Sequence, residues 1–145
     1  MIYDTKSPKE TQELAGFLLE NFLNTERKKA LVIALEGELG VGKTTFVQGL
    51  AMALGIQAKI KSPTFTLMKS YELRATSYKL LYHLDCYRLR DHKDLSMLGI
   101  KEILGNPKNI VLIEWSDRVK KILPKKHIKV HIDHIDKNKR RVSIK

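Results

Sequence analysis

The segment Gly37-Glu38-Leu39-Gly40-Val41-Gly42-Lys43-Thr44 constrains this chain more than any other, because it satisfies G-x-x-x-x-G-K-[ST] in full. A chance match in a chain of this length is roughly a one-in-two-hundred event at average composition. Its flanks narrow the reading further. The apolar run Ala30-Leu31-Val32-Ile33-Ala34-Leu35 before it reads as a central strand covered on both faces. After it, Phe46, Leu50 and Leu54 fall on one helical stripe, and Gly55 is placed to end that helix. Strand, glycine-rich loop and helix N-terminus in that order are what phosphate binding needs. Gly37, Gly40 and Gly42 let the backbone turn tightly and bring N–H groups against anionic oxygens. The helix points its positive end at the same place. Lys43 supplies a mobile charge for β- and γ-phosphates, and the Thr44 hydroxyl can ligate magnesium. The segment predicts a nucleoside triphosphate site, with ATP contacts from Glu38, Leu39, Gly40, Val41, Gly42, Lys43, Thr44 and Thr45.

Such a site needs an acidic residue near Thr44 to help hold magnesium. Asp85 ends the apolar segment 79–84 and Glu114 ends 109–113, so both are expected at the carboxyl edge of the sheet, where α/β folds bind ligands. Carboxylates there also serve as ordinary turn caps. Glu114 is the favoured metal partner and Asp85 a second metal or water-orienting group; with Lys43 they form the expected catalytic set. Thr64, in Ser62-Pro63-Thr64-Phe65-Thr66, stands where nucleotide switches place a hydroxyl near the γ-phosphate. A plain proline turn into a strand fits that segment equally. Trp115 and Tyr87 read as core aromatics, with mobile reporters at the site as the alternative. His127, His131 and His134 lie near Asp133 and Asp136, but on a strand the third points away from the first two. They read as edge-strand residues rather than zinc ligands.

The remaining punctuation completes an α/β pattern. Ser7-Pro8-Lys9-Glu10 is a capping box opening a helix whose buried face is read from Leu14, Phe17, Leu18 and Phe22. Residues 65–73 and 78–84 predict a hairpin around Arg74-Ala75-Thr76-Ser77. Short helices broken at Gly99 follow, then a buried strand over 109–113 and a short helix that stops before Pro124. Residues 127–135 and 140–144 predict a second hairpin at or near a sheet edge. The expectation is one domain over 1–145, P-loop NTPase-like, with a mixed, mainly parallel central sheet, helices on both faces and a C-terminal edge hairpin.

Composition adds limits. With 145 residues and 43% hydrophobic content, the chain can build one core. No apolar run approaches the ~18 residues of a membrane span, and the N-terminus lacks an apolar secretory segment. The single cysteine, Cys86, cannot form an intrachain disulfide. These features predict a reduced, cytoplasmic domain that does not enter the membrane. The net charge of +11 is uneven: residues 120–145 carry ten Lys/Arg against two Asp, and the rest 17 basic against 14 acidic groups. Such an excess can bind nucleic acids, RNA among them, through their phosphates, or simply form a solvated basic surface. No aromatic residues interleave it to stack bases.

Four segments together resemble one family. They are the loop continued through Thr45-Phe46, then Ser62-Pro63-Thr64-Phe65-Thr66-Leu67, His83-Leu84-Asp85-Cys86-Tyr87-Arg88-Leu89 and Ile113-Glu114-Trp115-Ser116-Asp117-Arg118. In order, spacing and length the chain is similar to the TsaE (YjeE) family of small bacterial P-loop ATPases. The resemblance implies ATP and magnesium at the loop, slow hydrolysis, and a role with the partners TsaD and TsaB in making threonylcarbamoyladenosine in tRNA. It implies site roles for Lys43, Thr44, Asp85 and Glu114, a switch segment around Thr64, and Thr11 beside the nucleotide base. In the family the Glu-Trp pair is usually followed by Pro or Ala and then Glu-Arg, where Ser116-Asp117-Arg118 stand here. Two other classes share the loop: a small P-loop kinase, and an ATP-switched RNA-binding module. Acceptor-dependent ADP formation would mark the first, and salt-dependent tRNA binding lost on neutralising Lys137, Lys139, Arg140 and Arg141 the second.

Overall fold

A computed structural model describes residues 1–37, 42–57, 67–87, 89, 93–96 and 98–145. Strand β1 (Ile2–Thr5) leads into helix α1 (Pro8–Leu23). Ser7, in extended conformation, caps α1 by accepting the Glu10 N–H at 3.1 Å, and the Glu10 carboxylate reaches back to the Lys6 N–H at 2.6 Å. The buried stripe of α1 is Thr11, Ala15, Leu18, Leu19 and Phe22. Phe17, expected inside, is 59% exposed. It stands one residue, or ~100°, off the Thr11–Ala15–Leu18–Phe22 line and so faces out.

Strand β2 (Leu31–Glu36) is the apolar run, buried through Leu35, and it leads toward the loop and helix α2 (Lys43–Ala53). Gly55, at φ 76°, ends α2 in the left-handed conformation expected of it. Strands β3 (Met68–Glu72) and β4 (Leu80–Asp85) form the first hairpin. Helices α3 (Lys93–Ser96) and α4 (Ile100–Gly105), strand β5 (Asn109–Glu114) and a 3-10 turn (Ser116–Val119) follow. Strands β6 (Ile128–His134) and β7 (Arg140–Ile144) form the second hairpin.

The sheet order is β1-β7-β6-β2-β5-β4-β3. Its centre, β6-β2-β5-β4, is parallel, and the flanking pairings are antiparallel. The four-residue β1, not foreseen from its mixed sequence, covers β7, so the C-terminal hairpin lies one strand in from the edge. The three histidines are therefore not edge-strand residues: β6, which carries His131 and His134, is interior, and His127 precedes it, bonded through Nδ1 to the Pro124 carbonyl at 2.7 Å.

Pleating sorts side chains onto two cores. Leu31, Ile33 and Leu35 of β2 join Ile110 and Leu112 of β5 and Leu81 of β4 under α1 and α2. Val32, Val111, Ile113 and Leu84 face the opposite way, under α3 and α4. Cys86 lies in that second core, and burial pushes its thiol up to about 12. Among the described residues no helix is long and apolar enough to cross a membrane.

Candidate functional site

The register assembles the site. Glu114, last in β5, pairs with Leu35 of β2 on one side and Asp85 of β4 on the other. Residues level with one another in adjacent parallel strands point to the same face, so both carboxylates emerge on the face that α2 covers. The chain leaves β2 beside them through Gly37, at φ 142°, and enters α2 through Gly42, at φ 98°. Both angles favour glycine, as the loop sequence required. A side chain on Gly42 would also meet Arg140 of β7, whose Nε would lie 3.8 Å from the added Cβ.

Lys43, the first residue of α2, is buried. Its Nζ donates to the Gly37 carbonyl and sits 3.6 Å from the centre of the Trp115 ring, a cation–π distance. Burial lowers its pKa, and the charges of Glu114, Asp85 and Asp117 partly oppose that shift. Trp115 reaches this position from a left-handed backbone, φ 57°, the one such non-glycine residue among those described. A bulky residue holds that conformation at a cost of about 1–3 kcal/mol, which is found where geometry serves a site. Tyr87 packs on Trp115 at 4.9 Å between centroids, and the Arg118 guanidinium lies 5.5 Å from the Tyr87 ring. Tyr87 is 38% exposed and the half-buried Trp115 packs against the second core, so the pair form a wall of the site. Ser116 extends the wall inward: its hydroxyl donates to the Leu35 carbonyl at 3.3 Å, tying the 3-10 turn to the end of β2.

Glu114 is almost wholly buried, and its Oε2 accepts from Nε2 of the buried His83 at 2.6 Å. His83 sits two residues before Asp85 on β4, hence on the same face and one pleat further in. Its Nδ1 is buried without a hydrogen-bond partner among the described residues. Asp85 is half-buried, and its Oδ1 accepts from the Tyr87 N–H at 3.0 Å. Thr44 and Thr45 are half-buried in the first turn of α2.

On the other face at the same end, Glu36 accepts from His131 Nδ1 at 2.9 Å and from Lys129 at 3.2 Å, while His131 Nε2 meets Asp133 at 2.9 Å. Burial opposes the charged form of Glu36, but His131 and Lys129 outweigh it and lower its pKa. Burial likewise opposes charge on His131, but Glu36 and Asp133 outweigh it and raise its pKa.

The structure thus brings Lys43, Asp85 and Glu114 to one side of one sheet edge. Thr11 is buried at the β1–α1 corner, its hydroxyl bonded to Thr5 at 2.7 Å and to the Ser7 carbonyl at 3.2 Å. Glu38, Leu39, Gly40, Val41 and Thr64 lie outside the described residues.

A profile of the family described as threonylcarbamoyl adenosine biosynthesis protein TsaE matches residues 5–142. The chain belongs to the TsaE family. It is 41% identical to a tRNA threonylcarbamoyladenosine biosynthesis protein TsaE from Haemophilus influenzae over 117 residues, 81% of this chain and 72% of that one. It is 34% identical to the protein of the same name from Bacillus subtilis over 139 residues, 96% of this chain and 81% of that one. The crystal structure of YdiB from Bacillus subtilis superposes with a TM-score of 0.74 at 29% identity, covering 99% of this chain and 83% of that one. Within this TsaE fold, sequence reading missed three features: His83 behind Glu114, Trp115 as the surface under Lys43, and Arg140 beside Gly42. Only His83 left a signal, as a polar residue two places before Asp85 in an apolar strand.

Proposed function

We propose that the chain binds ATP at residues 37–45 and hydrolyses it slowly in the threonylcarbamoyl modification of tRNA adenosine, together with TsaD and TsaB. What carries this reading is the position of Lys43: it opens α2 and shares one sheet edge with Asp85 and Glu114. A triphosphate seated at the N-terminus of α2 would meet backbone donors, the helix dipole and the Lys43 ammonium together. The names of the relatives support the tRNA role. Thr44, Asp85 and Glu114 offer only oxygen atoms, the donors that magnesium takes, so these residues fit that ion. Thr44 and Glu114 would hold it, and Asp85 would hold it or orient water. When bound, magnesium neutralises charge on the transferred phosphoryl group.

The test is ATP binding and phosphate release by the purified protein, with and without TsaD, TsaB and tRNA. The expected result is binding by the chain alone and faster release with all three partners. Failure to bind ATP would overturn the reading. Lys43→Ala should lower triphosphate affinity about tenfold or more, because a positive charge in a partly desolvated pocket is lost. Titration with a fluorescent ATP analogue reads this, and unchanged affinity would move the site away from the loop.

A further inference from the structure

The cations of this chain are not equally spent. Arg141 makes two hydrogen bonds with Asp4, at 2.8 and 3.1 Å. Lys129 pairs with Glu36, Arg74 with Glu72, and Arg140 Nη1 donates to the carbonyls of Asp136 and Lys139. The C-terminal hairpin, where the linear sequence concentrates basic residues, therefore holds less uncompensated charge than its composition alone. Another place holds more. Arg27, Lys28 and Lys29, before β2, and Lys125 and Lys126, before β6, line one cleft of about 890 Å³. Strands β2 and β6 are adjacent and parallel, so the two basic segments meet through the topology although they are far apart in sequence. Among the described residues none of the five forms an ion pair, and Glu26 is the one carboxylate in the lining. The four lysines are exposed, while Arg27 is half-buried, with Nη2 on the Phe22 carbonyl at 3.4 Å and a buried Nε that has no partner among the described residues. Five cations gathered around one carboxylate repel one another, and a polyanion relieves that repulsion.

We propose that this cleft binds the phosphodiester backbone of RNA. Four of its five cations are lysines, which meet phosphates as point charges without a bidentate demand. Among the described residues the lining contains no aromatic ring on which bases could stack. Recognition is then of backbone charge, with little dependence on base sequence. The cleft lies where β2 begins, and the phosphate loop leaves where β2 ends, roughly 20 Å away at ~3.3 Å per residue. RNA and nucleotide can therefore be bound at once. The choice of RNA over an acidic protein surface rests on the proposed role in tRNA modification.

The experiment follows a fluorescently labelled tRNA transcript through a salt series with three proteins. These are the wild type, a cleft variant carrying Lys28→Gln, Lys29→Gln, Lys125→Gln and Lys126→Gln, and a charge-matched control. The control carries Lys9→Gln, Lys69→Gln, Lys101→Gln and Lys108→Gln, exposed lysines outside the cleft lining. Binding of an ATP analogue is measured on each sample. The cleft variant should lose about tenfold or more in RNA affinity, and the slope of log affinity against log salt should fall by about 3, with ATP binding unchanged. The control should lose less than about threefold. Equal losses in both variants would assign the effect to net charge and overturn the proposal, as would a wild type that does not bind tRNA at physiological salt. A cleft variant that keeps RNA binding but no longer responds to partner proteins would also overturn it, because the cleft would then meet an acidic protein surface. A wild type that does not bind ATP would overturn the proposed function instead, and leave the RNA comparison readable.

Discussion

Glu114 concentrates the chemistry of the site at a single residue. A carboxylate this deeply buried is costly unless its oxygens are met by donors, and His83 meets Oε2. Glu114→Gln is nearly isosteric and removes only the charge. It should leave ATP affinity within several-fold and lower hydrolysis roughly a hundredfold, since a few kcal/mol of transition-state stabilisation goes with the charge. Phosphate release, with ATP binding followed in parallel, checks this; release at the wild-type rate would take Glu114 out of the site. Asp85→Asn keeps an oxygen for the Tyr87 N–H that Asp85 now holds at 3.0 Å, so the turn persists and the charge alone is tested. The same split between binding and hydrolysis is expected there. His83 is tested by stability. His83→Leu fills the space but removes the Nε2–H that Glu114 Oε2 accepts from, which costs about 2 kcal/mol. His83→Gln returns an N–H near the lost Nε2 and should recover most of that in urea denaturation. Equal losses would mean that the ring's packing, not its donor, supports Glu114.

At the scale of elements, α1 and α2 approach more closely than their apolar patterns alone require. The contact is Gly49, where an added Cβ would lie 2.5 Å from the Gln12 carbonyl oxygen and 2.6 Å from its Cα. These are backbone atoms, which cannot swing aside as a side-chain tip would. Alanine is favoured over glycine inside a helix by about 1 kcal/mol, so propensity and packing make opposite predictions. Packing should prevail: Gly49→Ala is expected to lose about 2 kcal/mol, seen as a lower urea midpoint at unchanged slope. A stabilised variant would mean that the helices sit further apart. The same pair shows what periodicity conveys. It placed Leu18 and Phe22 correctly, because they repeat along one stripe, and it misplaced Phe17, because a bulky apolar residue beside the stripe looks like part of it. Strand β1 left no pattern at all. Of its residues only Thr5 is buried, and it is a strand because β7 pairs with it and Arg141 reaches Asp4.

Across the whole molecule, charges on the α3–α4 face of the sheet couple stability to pH. His131 bridges Glu36 of β2 and Asp133 of its own strand. Its pKa is raised from an ordinary 6.5, so its contribution is complete below that value and is lost as pH rises through the raised one. Glu36 is lowered from an ordinary 4.5, so its contribution is complete above that value and is lost as pH falls through the lowered one. Together they place their joint maximum between about pH 4.5 and 6.5. Urea midpoints measured from about pH 5.5 to 8.5 should fall with rising pH in the wild type and fall less in His131→Ala. Parallel curves for the two proteins would refute the coupling. The phosphate loop and its flanks were legible in the linear chain because strand, turn and helix there are consecutive and each carries its own signal. Asp85 and Glu114 were legible as strand-end carboxylates because the apolar runs before them stop abruptly. Periodicity reports which faces a segment has, but not which segment lies beside it. The support of Glu114 by His83, the seating of Lys43 on Trp115 and the meeting of two basic segments in one cleft all depend on sheet order and register. Those are settled only when the strands bury their apolar faces together.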